Sequence, residues 1–339
     1  MKIVSSAGFG FTGSTAITDL LSEYEDIYTY SIPSYELSFF NTSHGILNLY
    51  NNMVNNRIPD LMHYAGKDYL EQCKTWANYG TIANHESFFC GKFMEYSEEY
   101  ITELGKNKYY CNHTWKHNSE LQRVIYRIIN KIYHVSKSLS VKNSYGEQNI
   151  EPLTTFSKLE KNYLYDVNEE EFTKITKDYF GKLFEAITDK QLINVHSLIP
   201  IQMIDECTKY FENICIIAID RDPRDIYLTA KHKWKTLDYP IDDVHFYCDY
   251  YKWLRSAIRE TKTPVLRLQF EDLVYKYDET VNKIERFLDI DSEKHVLKKT
   301  KFVPELSANN CNLKDKYPEE SNNIKVIEKE LGKWLYDFS

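Results

Sequence analysis

The feature that most constrains this chain lies in its first 25 residues. A short β-type run, Lys2-Ile3-Val4-Ser5-Ser6, leads into Gly8-Phe9-Gly10-Phe11-Thr12-Gly13-Ser14-Thr15. Ile17, Leu20, Leu21 and Tyr24 then fall at i, i+3, i+4 and i+7, the period of a helix with one apolar face. The chain therefore opens as strand, glycine-rich turn, helix. Glycines at such a junction let successive N–H groups converge on one anion, and the helix N-terminus adds partial positive charge. The spacing is G-x-x-x-x-G, with Ser14-Thr15 where a nucleotide-binding loop carries Lys-Ser/Thr. The Ser14 and Thr15 hydroxyls add two more donors. A plain βα turn is the alternative; placement between a strand and a helix favours a phosphate.

The same rhythm returns later. Asp26 to Ile32 reads as a second short strand closed by Pro33, and Gln191 to Val195 as a strand followed by a helix that Pro200 starts. Ile214 to Ile219 is a continuous apolar run, as in a strand buried on both faces. Helices over Pro223 to Trp234 and Asp242 to Glu260, a strand over Pro264 to Phe270 and a last helix over Asn323 to Tyr336 complete the pattern. Alternating strands and helices give an α/β fold: three αβα layers around a mostly parallel sheet, built like the phosphate-loop nucleoside triphosphatases. Residues 45–186 are instead polar, Tyr-rich and helical in pattern, as over Leu121 to Val135 and Glu169 to Ile187. They read as a large helical insertion covering the acceptor site of a single domain spanning 1–339, with Val141 to Pro152 as an exposed loop.

Composition excludes several classes. Of 339 residues, 42 are Lys or Arg and 50 are Asp or Glu, a net charge of −8 that opposes a general fit to nucleic acid. No stretch is long and apolar enough to span a membrane. Seven scattered cysteines, none spaced C-x-x-C, suggest reduced thiols and a cytoplasmic protein, without a disulfide framework or a metal site. His113 and His117 lack a third ligand at fitting spacing, so they read as a solvated face. The abundance of Tyr (28) and Phe (17) would suit stacking on sugars or an apolar pocket, but a compositional bias explains it as well.

At the end of the Ile214 run, Asp220 sits where a magnesium-binding Asp would, yet Arg221-Asp222-Pro223-Arg224-Asp225 follows at once. Two arginines there favour a further anionic group over a bare metal site. Together these pieces resemble the sulfotransferases that use 3′-phosphoadenosine-5′-phosphosulfate. Phe11-Thr12-Gly13-Ser14-Thr15 is similar to the family's 5′-phosphosulfate loop, Lys-Ser-Gly-Thr-Thr. Arg221 followed eight residues later by Thr229 is similar to its 3′-phosphate motif. Leu268-Gln269-Phe270-Glu271-Asp272-Leu273 is similar to its Tyr-Glu-Asp-Leu segment, and Phe287-Leu288-Asp289 to its Phe-Leu-Gly. The resemblance covers about 1–40 and 190–339. It implies nucleotide contacts from Phe11, Thr12, Gly13, Ser14, Thr15, Arg221 and Thr229, and from Asn310 and Lys314 in the region of the family's C-terminal phosphate loop. It implies no metal.

Phe11 stands where the family's loop lysine would meet the leaving phosphate, which makes Arg224 and Lys314 the candidates for that role. On the acceptor side, Ile193-Asn194-Val195-His196-Ser197-Leu198-Ile199-Pro200 resembles the segment that carries the family's catalytic base, with His196 as base and Glu36 as its rival. Lys231, His232, Lys233 and Lys235 read as a solvated helix face, with contact to an anionic acceptor as the alternative. The function implied is sulfuryl transfer to an acceptor hydroxyl, on a bacterial-style surface glycan or on a sterol-like alcohol. Two other readings remain at this level: a phosphate-loop kinase or nucleotide phosphohydrolase, disfavoured by Ser14 in the lysine position, and a non-catalytic glycan-binding protein on the same scaffold.

Overall fold

The computed structural model describes residues 1–32, 34–78, 80, 83–113, 124–125, 127–129, 131–132, 158–235 and 238–338. The strands, in chain order, are β1 (Lys2–Ala7), β2 (Ile27–Thr29), β3 (Asn107–His113), β4 (Lys158–Leu164), β5 (Leu192–His196), β6 (Ile214–Asp220) and β7 (Val265–Gln269). Five of them form one sheet in the order β2-β5-β1-β6-β7, and every neighbouring pair is parallel. The strands at its centre carry the chain's most apolar runs because helices cover both faces.

Alternation along each strand sends side chains into two separate cores. Ile3, Ile216 and Ala218 join the core shared with helices Pro59–Asn78, Phe93–Leu104 and Glu169–Glu185. Val4, Ile217 and Ile219 join the other, with Ile17 and Leu20 of helix α1 (Ser14–Leu21) and Ile284 of helix Tyr277–Leu288. The αβα layering is therefore visible residue by residue. Much of the tyrosine excess is structural. Tyr69, Tyr100 and Tyr179 are fully buried; Tyr100 stacks on Tyr179 at 4.5 Å, and Ser97, Tyr69 and Thr176 satisfy their hydroxyls.

The insertion is not wholly helical. β3 and β4 pair antiparallel, from Asn107 opposite Leu164 to His113 opposite Lys158, as a ribbon apart from the main sheet. Of the helix expected over Leu121 to Val135, residues 124–125, 127–129 and 131–132 are helical. The expected loop at Val141 to Pro152 and His117 lie outside the described residues. Elsewhere several elements are shorter than the periodicity suggests. Only Ile204–Thr208 is helical after Pro200, and the last helix is Ser321–Glu330 followed by a 3-10 turn at Gly332–Trp334.

Candidate active site

The register of the sheet aligns the carboxyl ends of its central strands. Ser6 is opposite His196, Ala7 opposite Ala218, and Asp220 opposite Gln269. Parallel α/β sheets present ligand sites at this edge. A cavity of about 520 Å³ opens there, within the range of small-molecule sites. The loop contributes Phe11, Gly13, Ser14 and Thr15 to its wall, β5 contributes His196, and the end of β6 contributes Arg221.

Gly13 caps α1 with φ of 98°, a backbone that L side chains avoid. A Cβ on it would come within 2.5 Å of Phe270 Cδ2. The glycine is thus required by the ring packed beneath the loop, at the position where the family's Tyr-Glu-Asp-Leu segment has its Tyr. Phe11 has φ of 64°, unusual for a bulky residue, and its ring stacks on Trp234 at 6.5 Å between centroids. Thr12 turns away: it is fully buried and its hydroxyl donates to the Phe9 carbonyl, so it holds the loop without lining the cavity.

Arg221 joins three segments. Its Nη1 donates to Phe11 O at 2.9 Å; its Nη2 donates to Thr229 Oγ1 at 2.8 Å and to Asn310 O at 2.5 Å. Arg221 is only 5% exposed, and its Nε–H is buried with no hydrogen-bond partner. An unsatisfied charged donor costs free energy unless something anionic meets it. The helix that begins at Pro223 runs to Leu228 and then widens into a π-helix, Thr229–Trp234. In that winding residues five apart share a face, so Thr229, Lys233 and Trp234 all line the cavity. The basic run, read from sequence as a solvated face, thereby supplies Lys233, whose Nζ donates to Asn310 Oδ1 at 3.0 Å.

Two sequence expectations need correction. Lys314 is exposed on the turn Leu313–Lys316 and does not line the cavity. Arg224 does not line the cavity; it is paired with Asp222 and Glu328 and also donates to the Tyr336 carbonyl. The cations that do line the cavity are Arg221, Lys233 and Lys301. Lys301 and Phe302 have no local sequence signature; the Glu23 carboxylate brings them in by accepting backbone N–H groups from Lys299 through Phe302.

His196 and Glu36 are neighbours. They pair as an isolated parallel bridge, and Glu36 Oε1 lies 3.7 Å from His196 Nδ1. On its other side, His196 Nε2 is 3.0 Å from Ser14 Oγ and 3.3 Å from Thr15 Oγ1. Burial lowers the imidazole pKa to about 4, which keeps it neutral near pH 7 and makes it a weaker base than a free imidazole. Burial raises the half-exposed Glu36, an effect partly offset by a hydrogen bond from Ser197. Asp19, also on the wall, is raised to about 6 by burial and the nearby Glu23 charge, with Lys301 opposing. Asp220 points to the other side and pairs with Arg255 at 2.6 Å. Among the described residues no cluster of His, Cys, Asp or Glu is arranged to hold a metal ion, and no helix is long and apolar enough to cross a membrane.

Solved structures similar to this chain include the sulfotransferase domain of an olefin synthase from Synechococcus PCC 7002. It has 12% identity over all of this chain and 96% of that one, with a TM-score of 0.41. Sulfotransferase STF1 from Mycobacterium tuberculosis H37Rv has 9% identity over 92% of this chain and 76% of that one, with a TM-score of 0.33. Retinol dehydratase, solved with androsterone and the inactive cofactor PAP, has 14% identity over 100% and 72%, with a TM-score of 0.25. No curated protein sequence matches significantly. The sulfotransferase family model matches residues 8–294, a span that holds the loop, Glu36, His196, Arg221 and Thr229. The chain belongs to the sulfotransferase family and is an enzyme of sulfuryl transfer.

Proposed function

We propose that the enzyme moves a sulfuryl group from 3′-phosphoadenosine-5′-phosphosulfate to a hydroxyl of a carbohydrate acceptor. The observation that carries the donor is Arg221: a buried guanidinium on the cavity wall beside Thr229, whose Nε–H has no partner. Arg221 and Thr229 would hold the 3′-phosphate. The N-terminus of α1, with Ser14 and Thr15, would hold the 5′-phosphosulfate. Phe11 provides no charge, so Lys233 and Lys301 are the cations for the leaving phosphate. Residues 1–339 act in this reading as one domain with 45–186 as an insertion, although none of its described residues lines the cavity.

In the reaction, the acceptor oxygen forms a bond to sulfur as the sulfur–oxygen bond to the 5′-phosphate breaks. The hydroxyl proton goes to the base and 3′-phosphoadenosine-5′-phosphate leaves. His196 is that base by position: it ends β5 on the cavity wall with Nε2 beside the loop hydroxyls, and its imidazole is neutral at pH 7 although burial weakens its basicity. Glu36 flanks the Nδ1 side at 3.7 Å, beyond hydrogen-bond distance, and would orient the ring through its charge.

The acceptor class follows from what lies beside the loop. Trp234 is 62% exposed, stacks on Phe11, and has Lys233 and Asp238 next to it on the cavity wall. A flat exposed indole flanked by charged groups fits a sugar ring, which offers a C–H face and a hydroxyl edge together. A sterol would ask for an enclosed apolar pocket. The test is transfer of labelled sulfuryl from the donor to a panel of sugars, sterols and phenols. Transfer to sugars is expected; magnesium-dependent ATP turnover without sulfuryl transfer would move the protein to the kinase reading.

A further inference from the structure

Helix Val244–Ser256 turns an unusual face to solvent. Phe246 and Trp253 are 59% and 61% exposed, and with the half-buried Tyr250 they occur at intervals of four and three residues, one stripe on the helix. Large apolar side chains grouped in this way mark a binding surface. Ring contacts tie the stripe to the cavity wall from beneath, through the buried Tyr239: Phe11 to Tyr239 at 6.0 Å, Tyr239 to Tyr250 at 5.8 Å, and Tyr250 stacked on Trp253 at 5.8 Å. Trp234, stacked on Phe11 at the cavity, and the stripe are thus two exposed aromatic sites either side of the buried Tyr239.

The chemistry beside the stripe selects its occupant. Asp242, Asp243 and Asp249 are exposed around it, along with His245, whose ring pairs with Glu330, and Lys252 is tied to Glu330 and Asp249. These carboxylates oppose an anionic membrane surface, and the stripe is aromatic, without the aliphatic side chains that suit an acyl chain. Separated rings bordered by hydrogen-bonding groups suit a chain of sugar rings. We propose that Phe246, Tyr250 and Trp253 form outer subsites for an oligosaccharide whose terminal residue lies at Trp234. This rests on the carbohydrate reading above and adds that the acceptor is a polymer held several residues beyond the reacting one.

The test uses the full chain saturated with 3′-phosphoadenosine-5′-phosphate and two neutral oligosaccharide series, β-1,4-linked N-acetylglucosamine and α-1,4-linked glucose, of two to six units. Tryptophan fluorescence and calorimetry report binding. The hexamer of at least one series should bind 10-fold or more tighter than its dimer, and in the Phe246→Ala/Trp253→Ala double variant that ratio should fall to within twofold. Both side chains are exposed, so nucleotide affinity serves as the check on folding. Length-independent binding in both series, no binding, or an unchanged ratio in the double variant would overturn the proposal. So would conversion of a parent dimer to a monomer by the double variant, which would make the stripe a contact between two copies. A wrong donor assignment shows separately, as failure to bind the nucleotide.

Discussion

Arg221 offers the sharpest test of the donor site. A guanidinium has five N–H donors; three bond Phe11, Thr229 and Asn310, the Nε–H is buried without a partner, and one Nη1–H remains for a ligand. One charge-assisted contact of this kind is worth about 1.5–3 kcal/mol, or roughly 10- to 100-fold in affinity. The parent should therefore bind 3′-phosphoadenosine-5′-phosphate at least about 10-fold more tightly than adenosine 5′-phosphate by calorimetry. Arg221→Ala also frees the Phe11 and Asn310 carbonyls, which loosens the loop and weakens both nucleotides. The ratio of the two affinities isolates the 3′-phosphate term, and it should fall toward one. Arg221→Lys keeps the charge but not the fork and should lie between. Equal affinities in the parent, or an unchanged ratio in Arg221→Ala, would refute the assignment.

Other expectations follow from the same geometry. His196→Ala should lower turnover about 10²–10⁴-fold while nucleotide affinity stays near the parent value, and Glu36→Gln should cost less, since it orients the base. If Glu36→Gln loses more than His196→Ala in the same assay, the roles are reversed. Asp19 is charged above its pKa of about 6 and neutral below it, so lowering the pH from 7.5 to 5.5 removes a negative charge from the wall. The nucleotide phosphates also protonate over that interval, so the comparison with Asp19→Asn isolates the effect: the parent should gain affinity relative to Asp19→Asn as the pH falls, while His196, at about 4, stays neutral. Gly13→Ala should destabilise the fold by about 2–4 kcal/mol, combining an unfavourable backbone with overpacking against Phe270. Phe270→Ala should recover part of that loss in a thermal melt, and additive losses would mean that the ring is not what excludes the Cβ.

The parts of the fold that local sequence announces are those where one short-range rule suffices. A glycine turn between period-2 and period-3.6 segments gives β1 and α1, and an uninterrupted apolar run gives β6. The β3–β4 ribbon escapes such rules. Asn107-Lys108-Tyr109-Tyr110-Cys111-Asn112-His113 has no clean alternation, and its partner strand is some fifty residues away. The π-helix at Thr229–Trp234 is equally hidden. At ordinary helical pitch Trp234 would leave the face that Thr229 defines, so the pattern there reads as solvated.

One wall of the site was legible for the same reason and the other was not. Ser14, Thr15, His196 and Arg221 each follow a strand at the carboxyl edge, where topology alone predicts a ligand. Lys301 and Phe302 reach the cavity through Glu23, whose buried carboxylate accepts the backbone N–H groups of Lys299, Thr300, Lys301 and Phe302 and the His295 Nε2–H at 2.6 Å. A charge buried this fully persists only because each of its oxygens is met, and the groups that meet it lie more than 270 residues along the chain. Nothing near Glu23 in sequence signals that partnership, and nothing near Lys301 signals a site. The cation that Phe11 does not supply is thus sought from a lysine placed by the fold as a whole, which is why motif spacing pointed instead to Arg224 and Lys314.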